Sequence, residues 1–233
     1  MAVSSRRPWR RLATEAANRR SEGLDRLGPP RIVALMQSED RRVLQALRRA
    51  RPAIASAARM LRQTYLAGRN ALLFGAGTSG RLAVLEAAEL PPTFGTAPRR
   101  VRAVIAGGRG AVFRSLEGAE DRFREGVKGA DRARSGDLVI GVSASSVTPF
   151  VRGALARAGR RGARTILLTS SRPPAASRVA DLVVLLEVGP EVLAGSTRLK
   201  AGTATKLALN QITTAAFASA GKVFGPWMVD LRA

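Results

Sequence analysis

The 233-residue chain contains no cysteine and no histidine. That excludes disulfides, thiol nucleophiles, zinc sites of the usual kind and histidine-based triads. Acid–base chemistry then falls to carboxylates, lysine, serine or the lone tyrosine, Tyr65, with the carboxylates the natural candidates. Aromatic residues are only 4% of the chain, too few to build stacking platforms for bases. No apolar run approaches the roughly 18 residues of a membrane span, and no hydrophobic stretch follows the basic N-terminus. A cytoplasmic protein that engages no membrane is expected. Lysine is scarce too, confined to Lys128, Lys200, Lys206 and Lys222.

What is abundant is arginine, and with it a net charge of +22. Such a charge invites a nucleic-acid reading. The arginines are spread along the chain and not gathered into one run, and no helix-turn-helix, zinc-finger or RNP signature accompanies them. The preference for arginine over lysine is read as a GC-rich coding bias, so no nucleic-acid partner is expected.

Apolar residues make up 45% of the chain, enough for a substantial core. Residues 1–13 are basic and interrupted by Pro8, and are expected to be disordered. Over 14–67 the apolar residues recur at helical spacing, for example Val43, Leu44 and Leu47, then Ile54, Ala58 and Leu61. Two or three helices are expected there, with Pro52 starting one of them. From 68 onward strand and helix alternate. Apolar runs at 70–74, 101–106, 137–142, 164–169 and 181–187 lack period-two alternation, as strands buried on both faces do. Helices are expected at 80–89, 110–133, 149–160 and 199–220. The result is a three-layer α/β sandwich around a five-stranded parallel sheet, preceded by N-terminal helices and forming one compact domain with them. Ligands are expected at the carboxyl ends of its strands.

Three loops fall at that edge. The first, Gly75-Ala76-Gly77-Thr78-Ser79-Gly80-Arg81, joins an apolar run to a helix and aims backbone N–H groups at one point. Its glycines also fit a dinucleotide fingerprint, but the next apolar run ends in Gly107-Gly108 with no carboxylate for a ribose. A plain connecting turn is the third reading. Two adjacent hydroxyls, Thr78 and Ser79, favour one compact phosphate over a pyrophosphate. The second loop holds Ser143, Ser145, Ser146 and Thr148 ahead of a helix, more hydroxyls than an N-cap requires. The third runs from Gly195-Ser196-Thr197 to Lys200 and Lys206.

Several blocks carry a specific resemblance: Gly75–Arg81, Glu89-Leu90-Pro91-Pro92-Thr93-Phe94-Gly95, Glu117-Gly118-Ala119-Glu120-Asp121, Gly189-Pro190-Glu191 and Gly195–Lys206. With Thr14-Glu15 through Leu27, and Gly221-Lys222-Val223-Phe224-Gly225 with Met228-Val229-Asp230, they resemble N-acetylmuramic acid 6-phosphate etherase. That family belongs to the sugar isomerase (SIS) domain enzymes, and the likeness is collinear over nearly the whole chain. It implies a flavodoxin-like SIS sandwich and a lyase that splits a phosphorylated amino sugar from D-lactate, as in peptidoglycan recycling. No cofactor and no metal are implied, and the active site is expected near the interface of a homodimer.

By motif position, Glu89 resembles the family's catalytic acid and Glu120 its base. Glu89 lies near the end of an expected helix with apolar Leu90, Pro91, Pro92 and Phe94 after it, a setting that disfavours negative charge. Glu120 is flanked by Asp121 and Arg122, a wetter setting suited to a charged carboxylate. Substrate and phosphate contacts are expected from Gly77, Thr78, Ser79, Ser143, Ser145, Thr148, Glu191, Ser196 and Lys200. Two departures stand out. Ser146-Val147 replaces a Gly-Arg pair typical of the family, and the family continues past Met228-Val229-Asp230 into a helical region. The alternative is a non-catalytic sugar-phosphate-binding regulator of the same fold, similar to glucokinase regulatory protein.

Overall fold

A computed structural model describes residues 14–174 and 179–229. The expected disorder of residues 1–13 lies outside the described residues. After two short 3-10 turns, Arg19–Ser21 and Leu24–Arg26, the first helix α1 runs over Pro29–Leu66. It is a single 38-residue helix where two or three were expected, and it passes through Pro52. An interior proline loses one backbone bond and costs about 3 kcal/mol. Here Pro52 sits on the exposed face. The buried stripe Val43, Leu47, Ile54, Ala58 and Leu61 continues in phase on either side of it, so packing outweighs the local break.

Five strands follow: β1 (Ala71–Gly75), β2 (Val101–Ile105), β3 (Leu138–Val142), β4 (Arg164–Thr169) and β5 (Leu182–Leu185). All pair in parallel in the order β2-β1-β3-β4-β5. The expected strands and observed strands agree within two residues at each end. Residues alternate between two cores. Leu73, Ile140 and Ile166 face α1 and the helix α6 (Lys200–Ala218). Leu72, Phe74, Val139 and Leu167 face the helix α5 (Pro149–Arg160).

The helix α2 spans Gly77–Phe94, continuing through Pro91 and Pro92 to a left-handed Gly95. It is longer at both ends than expected, so Glu89 stands inside a helix and not at its end. The expected helix over 110–133 is two pieces, α3 (Gly110–Phe113) and α4 (Phe123–Ala130). The left-handed Gly118 (φ 74°) lies in the loop between them. Glu120 is therefore on a loop. Strands β6 (Val223–Phe224) and β7 (Trp227–Met228) form a terminal hairpin. Among the described residues no helix is long and apolar enough to cross a membrane.

Candidate active site

Where β1 and β3 lie side by side, their neighbours in sequence depart in opposite directions, which opens a crevice beyond the strand ends. The turn after β1 is built by close approach. A Cβ on Gly75 would stand 2.7 Å from the Gly80 backbone nitrogen, and one on Gly80 would stand 2.5 Å from Ile105 Cγ1. Two of the motif's glycines thus serve strand–helix packing whatever the crevice holds. The first helical bond of α2 runs from Gly80 N–H to Ala76 O, and no side chain caps the helix. The amides of its first turn are left as donors at a site that favours an anion.

The loop after β3 completes the floor. Thr148 is the N-cap of α5 yet makes no side-chain capping bond. Its hydroxyl lies 2.7 Å from Ser143 Oγ and 3.4 Å from Ser145 Oγ, so the three hydroxyls hold one another. Phe150 N–H donates to Glu120 O at 2.9 Å, which pins the Glu120 loop to the start of α5.

These elements enclose a cavity of about 340 Å³ lined by Gly77, Thr78, Ser79, Glu120, Ser145 and Thr148. Of the residues expected at the site, those six come together. Ser143 is buried just beneath, holding Thr148. Ser196 is not in the lining, where its neighbours Gly195 and Thr197 are. Glu191 is buried and takes N–H bonds from Lys200 (3.1 Å) and Ala201 (2.9 Å), capping α6. Burial raises its carboxyl above the ordinary range, and those amide bonds offset the rise in part. Lys200 is 1% exposed and ion-paired with Glu39, which is 0% exposed. Burial alone would raise Glu39; hydrogen bonds from Lys200 and Asn18, with the charges of Lys200 and Arg42, outweigh it and hold the carboxyl low. Both Glu191 and Lys200 are spent inside the fold.

Glu89 is exposed and is not in the cavity lining. The apolar residues that follow it do not cover it: Leu90 and Phe94 turn inward without it. Twelve residues beyond the α2 start, it stands about 18 Å along the helix axis from the hydroxyl floor.

The polar wall residues not foreseen as site residues are Thr14, Glu15, Arg81, Ser115, Glu117 and Thr197. Arg81 closes the first motif and could have been read from it; its Nε donates to Val112 O at 2.9 Å. Thr14 is 1% exposed and its hydroxyl has no partner among the described residues. The cavity therefore pairs a donor-rich floor with a wall bearing Glu15, Glu117 and Glu120. That arrangement suits a ligand with an anionic end and a polar body that exchanges protons. Among the described residues no group of three or more carboxylates is placed to hold a metal ion.

The fold and crevice define an SIS-type α/β sandwich. A family model for the N-terminal SIS domain of glucokinase regulatory protein matches residues 53–159. Among solved structures, phosphoheptose isomerase from Neisseria gonorrhoeae superposes with a TM-score of 0.59 at 23% identity, over 81% of this chain and 98% of that one. The Vibrio vulnificus NanR protein, complexed with ManNAc-6P, gives 0.54 at 16% identity, over 78% and 62%. The nearer likenesses are in sequence. N-acetylmuramic acid 6-phosphate etherase of Thermosynechococcus vestitus is 47% identical over 222 residues, 94% of this chain and 72% of that protein. That of Gloeobacter violaceus is 48% identical over the same shares. The chain belongs to the N-acetylmuramic acid 6-phosphate etherase family.

Proposed function

We propose that the chain is a carbon–oxygen lyase that cleaves the D-lactyl ether of N-acetylmuramic acid 6-phosphate. The products are N-acetylglucosamine 6-phosphate and D-lactate, a step in cytoplasmic recycling of peptidoglycan amino sugars. One observation carries the reading: Glu120 lines the same cavity as the hydroxyls of Thr78, Ser79, Ser145 and Thr148 beside the uncapped start of α2.

The phosphate lies on that floor, with the α2 amides and the hydroxyls donating to it. The open-chain sugar then extends toward the carboxylate wall. Its C2 proton is acidic because it is adjacent to the aldehyde, and Glu120 removes it as base. The C3–O bond breaks as a protonated carboxyl supplies a proton to the ether oxygen, releasing lactate. Water then adds to the unsaturated aldehyde, hydroxyl at C3 and proton at C2, and both carboxyl groups return to their starting states. The chemistry needs no cofactor.

Glu89 is the proposed acid, and it is presented by a second copy of the chain, since within one chain it stands away from the cavity. The functional unit is accordingly a homodimer with its site near the interface. The same exposure of Glu89, with the match to the regulatory-protein domain, favours the second reading of a sugar-phosphate sensor without turnover. Incubation of purified protein with N-acetylmuramic acid 6-phosphate and assay of released D-lactate separates the two. Release that falls about 10²- to 10⁴-fold in Glu120→Gln is the expected result. Saturable binding with no lactate would leave the sensor.

A further inference from the structure

A second cavity, of about 790 Å³, opens beyond β4 and β5 under the N-terminal half of α1. Five arginines line it: Arg20, Arg41, Arg42, Arg49 and Arg172. Among the described residues the only carboxylate in the wall is Glu187, bound by Arg172 through both oxygens at 2.8 and 3.1 Å. Glu39, behind the wall, reaches Arg20 at 2.8 Å and Arg42 at 3.4 Å, but it is already matched by Lys200. The Arg41 guanidinium makes no hydrogen bond or ion pair among the described residues.

Arginines on a convex surface need no ligand, being well solvated. These converge on a concavity, and a different observation points the same way. Ser170 and Ser171, each 3% exposed, belong to the cavity wall, and both hydroxyl oxygens are buried with no hydrogen-bond partner among the described residues. Buried hydroxyls are seldom left unmatched, since each costs the desolvation of a polar group. An anion seated among the guanidinium groups would supply acceptors for both after a rotation of each side chain. Guanidinium forks match phosphate oxygens in geometry as well as charge.

We propose that this cavity is a second anion site, distinct from the crevice over β1 and β3, which takes a compact phosphate ester bearing at least two negative charges. It differs from the first cavity in kind. There, Arg81 is outnumbered by Glu15, Glu117 and Glu120; here cations prevail five to one. The two are mechanically joined. Ser170 N–H donates to Ala144 O at 3.1 Å, and Ala144 lines the first cavity while Ser170 lines the second.

The test is equilibrium dialysis of the full chain against labelled inorganic pyrophosphate at about 0.15 M salt, where exposed charges more than about 8 Å apart are largely screened. A Thr78→Val/Ser79→Ala variant removes two of the first cavity's hydroxyl donors, weakening that site, and is expected to retain one tight saturable equivalent per chain. Adding Arg41→Gln and Arg172→Gln, both at exposed positions, should weaken that equivalent at least tenfold with the melting temperature unchanged. Ser170→Ala/Ser171→Ala, with every arginine kept, should weaken it several-fold. No saturable uptake in the Thr78→Val/Ser79→Ala background, or uptake there indifferent to the arginine changes, would overturn the proposal. Neither result depends on lactate release, so the site stands or falls apart from the proposed activity.

Discussion

Ser146 is the one non-glycine among the described residues with positive φ, at 67°, in the loop that carries Ser145 and Thr148. A left-handed conformation costs an L-residue about 1–2 kcal/mol. Glycine avoids that cost but loses about 0.5–1 kcal/mol more backbone entropy on folding. The hydroxyl returns little, its side-chain hydrogen bond among the described residues being a long 3.4 Å one to Arg172 O. Ser146→Gly is thus expected to stabilise the protein by about 0.5 kcal/mol, read as a higher melting temperature in calorimetry. A lower one would mean that the bond to Arg172 outweighs the backbone strain. A larger effect belongs to Lys200 and Glu39, the buried pair that ties α6 to α1. Lys200→Met removes the buried cation and leaves Glu39 only its part-exposed arginine partners, Arg20 and Arg42, so it should cost up to about 3 kcal/mol in denaturant unfolding. The pair also sets a pH dependence. The folded-state value of Glu39 lies below its ordinary 4.5, so the unfolded chain binds the proton more readily. Its contribution is present above that ordinary value and is lost as pH falls through the lowered one. In Glu39→Gln/Lys200→Met the loss of stability below about pH 4.5 should be shallower than in the wild type. An unchanged acid limb would remove Glu39 as its source.

Glu120 owes its place to the packing of α4 on α5. A Cβ on Gly126 would overlap Phe150 O, and one on Gly153 would overlap Phe123 O. The helices touch backbone to backbone there. Gly126→Ala should separate them and destabilise the protein by more than about 2 kcal/mol, with Glu120 displaced through its Phe150 tie. Gly159→Ala, on the partner helix α5, is the control. Nothing lies within 4 Å of its added Cβ, so helix propensity alone acts and stability should rise by up to about 1 kcal/mol. Loss of stability there would show that α5 does not tolerate side chains generally. At this scale the sequence was legible wherever one run carried one signal. The unbroken apolar runs gave the five strands, and the Gly75–Arg81 turn gave the floor of the crevice. It was illegible where a distant partner decides. Pro52 marks a helix start by local rules, and only the stripe from Val43 to Leu61 against α6 carries α1 past it. Thr14, Glu15 and Thr197 reach one cavity from opposite ends of the chain, with no shared local pattern to announce it. Lys200, scarce as lysine is here, attracted a chemical role; its burial against Glu39 is visible only once α1 and α6 are docked.

For the whole molecule, the separation of Glu89 from the crevice makes oligomeric state part of the proposed mechanism. The outward face also carries large exposed apolar groups, Leu85 on α2 and Phe113, Leu116 and Phe123 around the Glu120 loop. Where such groups adjoin in one patch, a second copy often covers them. If each site joins Glu120 of one chain to Glu89 of another, neither carboxyl can be replaced without loss in a pure homodimer. Mixed dimers behave differently. A dimer of one Glu89→Gln chain and one Glu120→Gln chain holds one site with both carboxyls intact and one with neither. Refolding the two inactive variants together at equal concentration should restore about one quarter of wild-type lactate release, because half the dimers are mixed and half their sites are whole. Sites confined to single chains cannot be repaired this way, since every site in the mixture would lack one carboxyl. Recovery near a quarter would place the acid on the neighbouring subunit. Absence of recovery, with mixed dimers present by native mass spectrometry, would return the search for the acid to Glu15 and Glu117, which share the cavity with Glu120 within one chain.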